Sequence, residues 1–165
     1  MKNYICIDGK KAELTKEQLK ALGIVTETKS PFARVEGGRK YYAIAGTGKI
    51  GEYVEYSFGA DNTCYDIGNY CTDREILQQQ AYRETLNRLL WRYSMENGGD
   101  ELDWGTKVKG KCIIRYSHTR KEFRPDRVYT VEDVGSVTFA TMETAENAIR
   151  EIVEPFMEQH PDFKF

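Results

Sequence analysis

Long hydrophobic runs are missing from this chain. In 165 residues no stretch approaches the ~18 apolar side chains that a membrane-crossing helix needs. Near the start, Ile5-Cys6-Ile7 is cut off by Asp8, too short a run to form the core of a secretion signal. The expectation is a soluble, cytoplasmic protein with no membrane partner. Cysteine and histidine are scarce as well. Cys6, Cys64, Cys71 and Cys112 lie far apart with no Cys-x-x-Cys pair, which excludes a disulfide-stapled scaffold and suits a reducing compartment. His118 and His160 add no spacing that matches a tetrahedral metal clip, so neither a metal nor any other cofactor is expected. Neither histidine has a Ser or Cys partner that the sequence identifies, and no catalytic residue is assigned. An excess of one charge is absent too. With 24 basic and 26 acidic side chains the net charge is -2, which argues against attraction of the whole protein to nucleic acid or to an anionic surface.

Aromatic side chains, by contrast, are plentiful. Eleven Tyr, seven Phe and two Trp suit both short alternating strands and contact surfaces. The length allows one compact core, with a small N-terminal unit over residues 1–30 and a main domain over 31–165. In the N-terminal unit a strand over 4–7 and a turn at Asp8-Gly9 lead to Thr15-Lys16-Glu17-Gln18, a capping box that opens a helix ending at Gly23. Strands over 40–45 and 49–56, joined by Gly46-Thr47-Gly48, predict an antiparallel hairpin, with a loop over 59–63. A long helix is predicted from Thr72 to about Asn97, capped by Thr72 with Glu75 and stopped by Gly98-Gly99. Strands follow over 111–116, 123–130 and 134–139. A final helix from Met142 to about Met157, with Glu143 in its first turn, carries Ala145, Ala148, Ile149, Ile152, Val153 and Phe156 on one stripe and is kinked by Pro155. The fold class is therefore α+β: antiparallel sheets from hairpins, with two covering helices. Gly68 to Thr72 and Gly135 to Thr141 echo each other as two β-then-α units.

Gly46-Thr47-Gly48-Lys49-Ile50-Gly51 matches the dinucleotide fingerprint in letters. Its context rejects that reading, because the fingerprint needs a helix to begin within the glycines and here a strand alternation follows. The same segment lacks the residues of a P-loop, and the chain has no kinase signature. Acidic clusters at Asp100-Glu101 with Asp103 and at Glu132-Asp133 read as solvated loops rather than as an acid/base pair.

Two stretches remain as candidate sites. On the long helix Tyr82, Leu86, Leu89 and Tyr93 form the core stripe, while Trp91 points nearly the opposite way, close to Arg88, Arg92 and Met95. These residues, with Trp104 just past the glycines, are the candidate partner-binding anchors. The second stretch is charged: residues 107–127 hold eight basic side chains against two acidic ones, and residues 131–165 reverse that ratio. The two blocks neutralise each other if the last helix packs near the hairpin. Alternatively Lys107, Lys109, Lys111, Arg115, Tyr116, Arg120, Lys121 and Arg124 meet phosphates and stack bases as a nucleic-acid or nucleotide site.

Pro31-Phe32, Tyr41-Tyr42-Ala43-Ile44 with Gly48-Lys49-Ile50, Gly68-Asn69-Tyr70-Cys71-Thr72, Asn97-Gly98-Gly99 and the stretch from Phe139 to Ile149 occur in an order that resembles a group of small proteins carried by phages and prophages of Gram-positive bacteria. The resemblance covers most of residues 31–165 and departs at Cys71, where the group has an aromatic. It implies a context, with no catalytic residues to carry over: a phage accessory protein in the host cytoplasm, a setting in which inhibitors of host defence are common. The expected function is non-enzymatic binding to a host defence protein, such as a nuclease effector, in the manner of an anti-CRISPR inhibitor.

Overall fold

The computed structural model describes residues 4–7, 10–23, 30–99, 111–129 and 134–164. Helices and antiparallel sheets make the expected α+β fold. In the N-terminal unit β1 (Tyr4–Ile7) pairs with β2 (Lys10–Glu13). The predicted capping box is present: Thr15 N–H donates to Gln18 Oε1 at 2.9 Å, and Gln18 N–H donates to Thr15 Oγ1 at 3.2 Å. It opens α1 (Lys16–Ala21), which buries Leu19.

The predicted hairpin forms from β3 (Lys40–Ile44) and β4 (Ile50–Val54). Gly48 makes the turn with φ +81°, a left-handed conformation that most residues resist, and its open side faces the Thr85 hydroxyl. The expected loop over 59–63 is instead a helix, α2 (Gly59–Asp66). Asp61 explains the difference: its carboxylate accepts from Phe58 N–H at 3.1 Å and Tyr56 N–H at 3.0 Å, satisfying donors ahead of the first turn. Tyr41 and Tyr70 stack at 4.1 Å and are buried with Ala43, Val35 and Cys64 around them.

The long helix, α3 (Arg74–Glu96), begins one residue later than predicted. Asp73 is its N-cap, accepting from Glu75 N–H at 2.9 Å and Ile76 N–H at 3.1 Å. Thr72 is engaged elsewhere, with its backbone N–H and its hydroxyl both donating to Pro31 O. Beyond it, β5 (Lys111–Ser117) is the middle strand of a sheet ordered β6 (Glu122–Val128), β5, β7 (Thr138–Phe139). The strand predicted over 134–139 is thus reduced to its last two residues, with a turn at Val134-Gly135.

Thr141 caps α4 (Met142–Ala148) by accepting from Thr144 N–H at 3.0 Å. The kink expected at Pro155 appears as a π-helical turn over Ile149–Val153, after which α5 (Glu154–Gln159) resumes with the proline in its first turn. Leu86 and Leu90 of α3, Cys112 and Phe139 of the sheet, and Ala145, Ala148, Val153 and Phe156 of the last helices share one apolar core. No described helix is long and apolar enough to cross a membrane.

Candidate functional site

Arg88, Trp91, Arg92 and Met95 recur at three- and four-residue intervals, so α3 presents them as one stripe. Across the helix from it Leu86, Leu90 and Ser94 are buried, while Leu77 and Ala81, on the stripe's own azimuth in the earlier turns, are buried where α3 meets β3 and β4. Trp91 is 60% exposed and Met95 37% exposed, so the stripe faces outward rather than into a second core layer. A groove of about 410 Å³ runs beside it, between the Gly46-Thr47-Gly48 turn and Arg88, Trp91 and Arg92, with Thr85 and Leu89 also lining it. The glycine motif and the odd tryptophan, unrelated in sequence, therefore meet in space. Arg88 is held back along the helix: its Nε donates to Glu84 O and its guanidinium pairs with the Glu84 carboxylate, both at 3.2 Å. Arg92 has no ion pair among the described residues. Trp104 lies outside them, as do Lys107 and Lys109.

The basic hairpin is neutralised only in part from within. Arg115 pairs with Asp126 at 2.8 Å and Arg120 with Glu122 at 3.5 Å, both acids belonging to β6, and α4 of the acidic C-terminal block packs against β5 and β6, the arrangement under which the two blocks can offset each other. Lys111, expected to meet phosphate, is instead 2% exposed, and its ammonium donates to Tyr129 O at 3.1 Å, which leaves it out of reach of a surface ligand. Tyr116 packs against Phe123 and His118, with ring centroids at 4.9 and 5.1 Å. Lys121, Arg124 and Arg127 stay exposed.

Sequence reasoning missed two buried carboxylates. Glu55 is 1% exposed and accepts from both Arg34 Nε (3.1 Å) and Arg34 Nη2 (2.9 Å), from Ser57 N–H and from the Tyr70 hydroxyl. Asp61 is 6% exposed and accepts from the Tyr41 hydroxyl at 2.8 Å besides the two backbone donors already described. Arg34 holds the Glu55 carboxyl below its ordinary range, and the Tyr41 hydroxyl does the same for Asp61. Burial pushes the Tyr41 phenol up. Both carboxylates are thus charged and saturated with donors, which makes them structural. The available signal was parity: Glu55 follows Gly51 and Tyr53 on the strand face that packs on Tyr41, so a carboxylate there had to be paired.

Burial also pushes the Cys71 and Cys112 thiols up, so both stay protonated at neutral pH. His160 lies among the Tyr82 and Phe156 rings, each centroid 4.5 Å away. Among the described residues no group of three or more His, Cys, Asp or Glu is arranged to hold a metal. An apolar cleft of about 370 Å³, lined by Leu86, Leu90, Ile114, Phe123, Val137 and Phe139, opens between α3 and the sheet, with Arg83, Glu84 and Asn87 also on its wall. No protein-family model, curated protein or solved structure matches this chain.

Proposed function

We propose that the chain is a non-enzymatic binding protein that docks on a protein partner through the α3 stripe of Arg88, Trp91, Arg92 and Met95. One observation carries the reading: a tryptophan more exposed than buried stands beside two arginines on a rigid 23-residue helix, at the lip of a groove. Exposing an indole forgoes apolar burial, and a partner that covers it recovers that burial along with arginine contacts, the side-chain pairing on which interfaces concentrate their binding energy. The resemblance to phage and prophage proteins sets the partner class, a host defence protein such as a nuclease effector, which docking would block. The rival reading, nucleic-acid binding by the β5–β6 hairpin, is weakened by the burial of Lys111 and the local pairing of Arg115 and Arg120.

The test is capture from a Gram-positive host lysate by the wild-type chain and by the Arg88→Ala/Trp91→Ala variant. A partner held by the first and released by the second supports the reading. Equal capture by the folded variant removes this face. Retention on single-stranded DNA that is lost with rising salt and with Arg120→Glu/Arg124→Glu would favour the rival.

A further inference from the structure

The hydrogen bonds of the β3–β4 hairpin fix which backbone groups face outward. Ala45 N–H donates to Lys49 O at 2.8 Å and Glu55 N–H to Arg39 O at 2.9 Å, flanking the strands at both ends. Bonded pairs alternate along an antiparallel ladder, so Tyr41 with Tyr53 and Ala43 with Gly51 bond inward. Tyr42 and Ile44 on one side, and Ile50, Glu52 and Val54 on the other, therefore turn their N–H and C=O groups away from the hairpin.

The β3 side is closed. Tyr42 exchanges bonds of 2.7 and 3.0 Å with Cys71, and the Asn69 side-chain amide imitates a peptide against Ile44, accepting from its N–H at 2.6 Å and donating to its C=O at 2.9 Å. The outer edge of β6 is guarded in another way, by Pro125 in mid-strand and by exposed Glu122, Arg124 and Arg127. On β4 the outward groups of Ile50, Glu52 and Val54 meet no partner among the described residues, and no proline blocks them. Its one charged residue, Glu52, is drawn aside to Lys40 at 2.6 Å. Natural sheets guard such edges, so an unguarded one is a place for a strand to add.

We infer that the strand added is β4 of a second copy, antiparallel about a two-fold axis at Tyr53. The aromatic row selects this occupant and this register. Tyr70, Tyr41 and Tyr53 stack at 4.1 and 5.6 Å from the core to the edge, ending on a Tyr53 ring that is 41% exposed and lies back over Gly51, where a side chain would clash. With the axis at Tyr53, the two Tyr53 residues face each other as a non-bonded pair, and the row continues into the second copy's Tyr53 and Tyr41. Glu52 then falls opposite Val54 and exchanges backbone bonds with it. The alternative axis at Glu52 would set two carboxylates directly opposite, which costs stability. The chosen register also brings Tyr56, 59% exposed, opposite Ile50, adding apolar area to a contact that backbone pairing alone would leave small. This pairing is independent of the Trp91 face.

The test is the mass in solution across a concentration series, by light scattering or sedimentation, for the wild type, Glu52→Pro and Glu52→Gln. The Glu52 N–H faces outward, so a proline there spares the hairpin and blocks the added strand, while glutamine removes the same ion pair and keeps the N–H. The expected result is a mass rising toward twice that of the chain for the wild type and Glu52→Gln, and a constant single mass for Glu52→Pro. A single mass for the wild type at every concentration overturns the inference and leaves the edge to another protein's strand. A dimer that persists in Glu52→Pro overturns it too. If Glu52→Pro does not fold, oxidation of Tyr53→Cys decides, since facing non-bonded residues lie within disulfide reach. A cross-linked pair that the wild type does not form supports the register, and none overturns it.

Discussion

The two halves of the main domain are held together by opposite means. Residues 74–164 pack aliphatic and aromatic side chains from α3, the three-stranded sheet and the last helices, with the Thr138 hydroxyl as the one buried side-chain polar atom left without a hydrogen bond among the described residues. Residues 31–73 have only a small apolar cluster, and at its margin sit two buried carboxylates, an arginine and two tyrosine hydroxyls. An apolar core tolerates imprecise placement, whereas a buried charge is stable only while each donor stays in position. The second half should therefore be the more sensitive to single polar changes and to pH.

The largest effect is expected in the apolar half. Phe139 is fully buried between α3 and α4, and Phe139→Ala should cost about 3–5 kcal/mol through lost burial and a cavity. Denaturant unfolding measures it, and a loss below about 1 kcal/mol would mean that the core collapses onto the gap.

In the polar half, Glu55→Ala removes little apolar surface, yet it strands the Tyr70 hydroxyl, Ser57 N–H and Arg34 together. A loss of about 1–3 kcal/mol is expected from orphaned donors alone. Glu55→Gln keeps the shape without the charge and should also lose stability. If Glu55→Gln matched the wild type, the charge itself would contribute nothing and the contrast between the halves would reduce to shape.

Acid should separate the halves without mutation. Glu55 and Asp61 both have folded-state values below their ordinary ones. Their contribution is complete above the unfolded-state values near about pH 4 and is lost as pH falls through the depressed folded values. Lowering pH below about 4 should therefore release the Tyr41 and Tyr70 environment, seen in near-ultraviolet circular dichroism, before the amides of α3 lose exchange protection. Simultaneous loss would show the halves to be one cooperative unit.

Much of the apolar half was legible because its pattern is periodic. The stripes on α3 and on the last helix, the Thr141 cap and the break at Pro155 each follow from spacing and local chemistry. The polar half was less so, since its organising contacts join Arg34 to Glu55 and Tyr41 to Asp61, roughly 20 residues apart, and no periodicity marks them. The misplaced α3 start has the same origin. Thr72 and Asp73 are both good caps, and the long-range bond from Thr72 to Pro31 decides between them. Of the candidate site, the exposed face of α3 could be read from helical phase, whereas the glycine turn beside Trp91 could not. The charge excess of the β5–β6 hairpin was legible in the sequence, whereas the partners of Arg115 and Arg120, one across the strands and one at the turn, depend on the register.

Those caps offer a smaller measure of the contrast. Thr141→Ala removes one acceptor at the start of α4 and should cost about 1 kcal/mol, and Asp73→Ala should cost about the same at the start of α3. Thr72→Ala keeps the backbone bond to Pro31 and loses only the hydroxyl bond, so its cost should be smaller than either. Equal losses for Thr72→Ala and Asp73→Ala would restore Thr72 as a second determinant of where α3 begins.

The smallest effect on stability is expected at the residue given the largest role. Trp91 lies on the solvent side of α3, so Trp91→Ala should change unfolding free energy by no more than about 0.5 kcal/mol. Alanine is the better helix former, which offsets part of whatever contact the indole makes with the groove wall. A loss of several kcal/mol would place Trp91 in the fold rather than at an interface, because a side chain that stabilises its own helix that strongly is packed, not presented. Near-neutral stability together with loss of partner capture is the combination that separates a docking residue from a structural one, and neither half of the domain can mimic it. A core change such as Phe139→Ala would lower both together, and a change in the carboxylate network would lower stability at neutral pH while removing part of the wild type's loss in acid.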